Sequence, residues 1–240
     1  MNDFEGGLAM TSEFCGPSSA FIDAIYGQRG VLFARPVKVA VSIKPEAHFP
    51  GAKRAFDLVV SLALLPILGL CAVGLAIVNR SSNAGPLIFH QKRMGKDCKP
   101  IRVIKFRSMT STRRINRRAH DPLENNRITT VGRFIRRTRI DELPQIINVL
   151  RGEMSLIGPR PDYLPHARHY LRTIPGYHER HAVKPGITGL AQVDLGYAEG
   201  ADATRAKVAA DLTYVRRRGY VMDTRIALKT LRVVASGGGR

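Results

Sequence analysis

The hydrophobic pattern has one dominant feature, an uncharged apolar run of 21 residues at 58–78, LVVSLALLPILGLCAVGLAIV. That is about the 20 residues a bilayer-spanning helix needs. A buried core helix is the alternative, but such helices seldom run this far without a polar face. The flanks carry equal basic charge, with Lys38, Lys44, Lys53 and Arg54 before the run and Arg80, Lys92, Arg93 and Lys96 after it. Lys/Arg-rich flanks stay on the cytoplasmic side, so both ends ask for the same face of the membrane. Pro66 near the middle removes a backbone hydrogen bond and Gly69 follows, which predicts a bend returning the helix to the face it entered. A single span is the second reading.

Elsewhere the pattern is that of a small mixed domain. Ile140, Leu143, Ile146, Ile147 and Leu150 form a helical stripe, with Thr138 as the expected N-cap and Gly152 marking the end. Residues 86–90 and 100–106 read as short strands joined by a turn at 95–97. Lys105 and Arg107 would project from one face of the second. Residues 163–173 read as a helix broken at Pro175-Gly176, and 203–217 and 221–235 as two more helices. Residues 1–50 are interrupted by Gly and Pro, with only 37–43 alternating like a strand, and 236–240 read as a flexible tail. The fold class expected is α/β and mostly helical: an extension at 1–50, a re-entrant membrane helix at 51–82, a cytosolic catalytic domain at 83–235 and a tail at 236–240.

Charge narrows the partners. With 38 Lys and Arg against 19 Asp and Glu the chain carries a formal +19, which calls for a polyanion: nucleic acid, an anionic membrane or a phosphorylated substrate. Nine arginines fall in residues 113–139, but Phe134 is the single aromatic there, and no nucleic-acid-binding motif accompanies them. Nucleic acid is therefore not expected, and basic side chains beside Phe134 suit a lipid headgroup region equally well. The first residues lack a basic stretch followed by an apolar one, so no cleavable signal peptide is expected. Cys15, Cys71 and Cys98 share no metal-like or disulfide-like spacing, and the pairs His166/His169 and His178/His181 flank a Pro-Gly break, which argues against zinc. On the last predicted helix, Arg225, Lys229 and Arg232 form a basic stripe opposite Ala227, Leu231 and Val234, the layout of a helix lying on an anionic surface or packing on a core.

The chemistry concentrates at Asp141-Glu142. Two acids at a helix start are ordinarily first-turn electrostatics. Here Arg133, Arg136, Arg137 and Arg139 lie just upstream and Arg160 just downstream, so a carboxylate would sit among groups suited to binding phosphate. That combination points to phosphoryl transfer.

Three motifs in order, KPIRVIKFRSM (99–109), DELPQIINVLRGEMSLIGPRP (141–161) and KPGITGLAQV (184–193), resemble the bacterial sugar transferase family, the monotopic phosphoglycosyl transferases. The resemblance spans about three quarters of the chain, residues 53–235. It implies transfer of a sugar 1-phosphate from a UDP-sugar to a polyprenol phosphate such as undecaprenyl phosphate, releasing UMP, as the first membrane step of glycan assembly. It implies a cytoplasmic-face, inner-membrane location among membrane phospholipids and leaves the oligomeric state open, a homodimer included. Asp141 would be the nucleophile, with Glu142 as its catalytic partner and Mg²⁺ held near one or both acids. Lys105, Arg136 and Arg160 would neutralise the transferring phosphate. Two departures stand out. The family's Ser-Pro helix break falls about one turn after Pro66, and its Asn-Gly-Arg after the third motif is replaced by Asp194-Leu195-Gly196-Tyr197. A non-catalytic, basic, membrane-tethered module is the competing class; it explains the charge but not the acids among arginines.

Overall fold

The computed structural model describes residues 50–82, 85–110, 124–196 and 200–236. The extension with its strand at 37–43, the arginines at 113–118, Tyr197 and the last four residues lie outside them.

The apolar run lies in α1 (Pro50–Ser82), a helix that continues through Pro66. Only 11% of its most apolar window is buried, and Leu70 and Val73 are 76% and 63% exposed, which does not fit a core helix. Both ends of α1 rest on the same body. At the first end, Arg54 donates to the carbonyls of Val149 and Leu150 (2.6 and 2.9 Å), and Asp57 accepts from Ser155 Oγ and Leu156 N (3.1 and 3.0 Å). At the other, Asn79 donates to Gly85 O at 2.9 Å and accepts from Arg107 at 3.3 Å.

The hairpin β1 (Ile88–Met94) and β2 (Pro100–Phe106) is antiparallel, with Ile88 opposite Phe106 and Met94 opposite Pro100. β1 therefore runs four residues further than the alternation suggested. A second pair, β3 (Ser155–Ile157) and β4 (Gly186–Thr188), is parallel and only three residues long. Here the glycines of the KPGITG loop let chain approach chain: a Cβ on Gly186 would fall 2.1 Å from Gly158 N.

The helices that follow are α2 (Thr130–Arg137), α3 (Gln145–Leu150), α4 (Leu164–Thr173), α5 (Leu190–Asp194), α6 (Ala201–Arg217) and α7 (Tyr220–Ala235). Thr129 caps α2, accepting from Gly132 N at 2.9 Å. α3 has only six residues, too few to be stable alone, so tertiary contacts hold it. Val149 packs with Val103 and Met154 in a fully buried cluster. Buried Asn148 accepts from Ile104 N (3.1 Å) and donates to Arg102 O (2.8 Å), locking α3 to β2. This lock sets Lys105, the next residue on β2, beside the residues that precede α3.

Candidate active site

The segment before α3 differs from the sequence expectation. Thr138 is not the N-cap of a helix carrying the acids but the C-cap of α2, and its hydroxyl donates to Phe134 O at 2.9 Å. Arg139 then adopts a left-handed conformation (φ 61°), a state costing a non-glycine residue roughly 1 kcal/mol. The chain turns there into a short 3₁₀ turn, Ile140–Glu142, and α3 begins only after Pro144. The acids thus lie outside the α-helix, and their ionisation is set by burial and by neighbouring side chains rather than by a helix start. Threonine suits either helix end, and no glycine marks the left-handed residue, so the sequence pattern ran the two elements together.

Asp141 and Glu142 are both buried, at 8% and 5% exposure, yet their surroundings are opposite. Glu142 is enclosed by cations: Lys105 Nζ lies 2.7 Å from Oε1, Arg160 forks onto both oxygens, and Arg139 lies 3.5 Å from Oε2. Burial pushes its carboxyl up, but Arg160 and Lys105 outweigh that by charge and hydrogen bonding and hold it well below the usual carboxylate range. Asp141 accepts no hydrogen bond from a described residue. Burial raises its pKa, with Glu142 adding to the rise and Lys105, Arg160 and Arg136 opposing it. Lys105 is itself shifted: burial lowers it to about 8 against the pull of Glu142.

The structure therefore brings together Asp141, Glu142, Lys105 and Arg160, with Arg136 near enough to bear on Asp141. Pro66 belongs to the exposed middle of α1, apart from this cluster in role. Arg107, expected to share Lys105's outlook, turns instead to Asn79 of α1.

A family model described as bacterial sugar transferase matches residues 48–237. The chain belongs to the bacterial sugar transferase family. A relative from Rhizobium leguminosarum bv. phaseoli, named exopolysaccharide production protein PSS, is 42% identical over 75% of this chain and 92% of its own length. The UDP-N-acetylgalactosamine-undecaprenyl-phosphate N-acetylgalactosaminephosphotransferase of Aeromonas hydrophila is 38% identical over 82% of this chain. The UDP-glucose:undecaprenyl-phosphate glucose-1-phosphate transferase of Escherichia coli (strain K12) is 42% identical over 75% of it. The chain spans 47% and 39% of the length of those last two proteins.

For a sugar transferase of this family, the roles missed in the sequence are those that hold the named residues in place. Arg139 supplies both the left-handed corner and a third cation on Glu142. Asn148 sets the β2 register beneath Lys105. Each carries a weak signal: a polar residue inside an apolar stripe, and an arginine among many. At the family's missing Asn-Gly-Arg, Asp194 pairs with Lys229 of α7.

Two carboxylates do not make a metal cage, and among the described residues no group of three or more His, Cys, Asp and Glu side chains is suited to one. Mg²⁺ seldom needs one, since it commonly binds through one or two carboxylates together with substrate phosphates and water. Asp141, with its carboxylate unengaged, fits that donor set. Glu142 would have to release a cation to join it.

Proposed function

We propose that this protein transfers a sugar 1-phosphate from a UDP-sugar to a polyprenol phosphate, giving a polyprenol diphospho-sugar and UMP. The observation that carries the reading is the contrast within the acid pair, one carboxylate saturated by cations and its neighbour unengaged beside them. The Aeromonas and Escherichia relatives are named for this kind of transfer, with undecaprenyl phosphate as acceptor.

In the first step an Asp141 oxygen attacks the sugar-proximal phosphorus, the bond to the bridging oxygen breaks, and UMP leaves with that oxygen and its electron pair. In the second, an oxygen of the lipid phosphate attacks the same phosphorus and releases the Asp141 carboxylate. Lys105 and Arg160 oppose the charge on the phosphate oxygens, and Arg136 favours the ionised Asp141 the attack requires. Glu142 keeps Lys105 and Arg160 gathered before substrate arrives. When bound, Mg²⁺ would offset diphosphate charge, held through Asp141 and the substrate's own oxygens.

The membrane part of the reading is a re-entrant α1 on the cytoplasmic face of the inner membrane. Attachment of both ends of α1 to one body, Arg54 on α3 and Asn79 on Arg107, supports it, because a helix crossing about 30 Å of hydrocarbon would carry one end away from that body. α7 adds a second contact. Tyr220, Val221, Leu228 and Leu231 are 53–86% exposed beside Arg225 and Arg232, while Ile226 is buried on the opposite side. Its Asp223 joins Lys53 at the foot of α1 at 2.7 Å. The outward side is thus mixed apolar and basic, rather than a basic stripe opposite an apolar one.

The test is release of UMP when purified protein is mixed with undecaprenyl phosphate and, in separate reactions, UDP-glucose and UDP-N-acetylgalactosamine. Product lipid should appear in step with UMP for at least one donor in a wider panel. Binding of the lipid without UMP release from any donor would favour a non-catalytic membrane module.

A further inference from the structure

Outside the acid pair, four charges gather around the fully buried Arg180. Arg180, with no side-chain exposure, forks three ways: Nε donates to Asp211 (2.9 Å), Nη1 to Asp162 (2.8 Å) and Nη2 to the carbonyl of Arg160 (2.7 Å). Lys207 also pairs with Asp162, and Tyr177 donates to it at 2.8 Å while its ring lies 5.1 Å from the Arg180 guanidinium. The third branch matters for function because it ends on the backbone of a proposed phosphate-binding residue.

The surrounding loop is constrained to an unusual degree. Its four consecutive carbonyls all accept: Pro159 from Gly186 N (3.0 Å), Arg160 from Arg180, Pro161 from Arg93 (2.6 Å) and Asp162 from Met94 N (3.0 Å). Arg180 also grips the segment a second time, through the Asp162 side chain. A guanidinium can hold two carboxylates and a carbonyl in one plane, whereas an ammonium has no such planar fork.

We propose that Arg180 is a positioning residue for the transfer reaction, fixing the backbone of Arg160 so that its guanidinium meets the acid site in one orientation. The inference rests on the role given to Arg160 under the proposed function. Arg180 touches neither reactant; it acts through the loop, and a displacement of about 1 Å at a binding group can cost on the order of 10²-fold.

A double-mutant cycle tests it. Arg160→Ala and Arg180→Lys, alone and together, are compared for kcat/KM with the UDP-sugar that supports turnover, and for UDP affinity by calorimetry. Arg180→Lys keeps the charge but loses the fork, and Tyr177→Phe, which removes a single hydrogen bond to Asp162, serves as a milder variant should the lysine variant fail to fold. Arg180→Lys should lower kcat/KM by about 10- to 100-fold and weaken UDP binding. Added to Arg160→Ala it should cost less than about 3-fold more, because residues acting as a unit are not additive. With Tyr177→Phe the same pattern should hold at a smaller scale, a loss of a few fold that disappears in the Arg160→Ala background. Full additivity in the folded variants, or normal kcat/KM and UDP affinity in them, would overturn the positioning role while leaving Arg160 in place. Normal kinetics in Arg160→Ala itself would overturn both.

Discussion

Two buried charge clusters lie on either side of the Arg160–Asp162 segment, and they are built on different terms. The cluster around Arg180 is balanced, two cations (Arg180, Lys207) against two carboxylates (Asp162, Asp211). Burial would push the Asp162 carboxyl up, but Lys207 and Arg180 hold it far below its ordinary range, as its two acid partners hold Arg180 above its own. The cluster around Glu142 is unbalanced, four cations (Lys105, Arg136, Arg139, Arg160) against two carboxylates. Among the described residues its surplus of positive charge suits a diphosphate, and one of its carboxylates, Asp141, accepts from no described donor. A neutral, closed cluster holds the chain in place; a charged one with an unengaged carboxylate suits the phosphate chemistry proposed for it.

That contrast can be broken most severely at Asp141. Asp141→Asn removes the proposed nucleophile and should lower turnover by at least ~10⁴-fold, by analogy with loss of other covalent nucleophiles. Stability should not fall. Because the folded-state pKa of Asp141 is raised, its contribution to stability is fully present at low pH and is lost as pH rises through that raised value. At neutral pH the ionised group is therefore a cost that asparagine relieves, and thermal melts at pH 7 should show an unchanged or higher midpoint.

The balanced cluster should respond in the opposite currency. Arg180→Met leaves two carboxylates facing one cation in the interior, and breaking a buried pair this way costs roughly 3–5 kcal/mol. Denaturant titration should register that loss, and a smaller one for Arg160→Met, because Glu142 keeps Lys105 and Arg139 as partners. Arg160→Ala should instead reduce turnover about 10²-fold, the scale of a lost transition-state donor, measured as UMP released per enzyme.

Much of this contrast was readable in the sequence, and the reason for each gap is physical. The apolar helix stood out because it runs 21 residues without a charge. Asp141 and Glu142 stood out because adjacent acids among arginines are chemically odd, and Lys105 and Arg160 because the family motifs contain them. Periodicity failed at α3, where apolar residues were assigned the buried face. Asn148, Gln145 and Glu142 occupy much of that face, and Leu143, Ile147 and Leu150 are only half-buried. Such polar burial is favourable only when partners arrive from β2 and the 159–162 loop, and no local pattern announces partners far away in sequence. Arg180 is the extreme case: its ligands come from residues 160, 162 and 211, and in the sequence it is one arginine among many.

Smaller effects sharpen the comparison further. Lys105 must be protonated to oppose phosphate, so with its pKa lowered to about 8 the kcat/KM profile should decline above pH 8. Lys105→Arg, which stays charged, should shift that decline to higher pH if activity survives, whereas an unchanged profile would assign the limb to another group. The smallest change belongs to the exposed face of α7. Arg225→Gln or Arg232→Gln on α7 should weaken sedimentation with phosphatidylglycerol vesicles by a few fold each, about 1 kcal/mol per basic residue, and leave neutral vesicles unaffected.

The central claim, that the unengaged carboxylate is the nucleophile, is tested most directly by intact-protein mass spectrometry after mixing the protein with its UDP-sugar alone. The account predicts a mass increase of one sugar phosphate, mapping to Asp141, with about one UMP released per active site and no increase in Asp141→Asn. An adduct that persists in Asp141→Asn, or UMP release that requires the lipid acceptor in the same mixture, would contradict it.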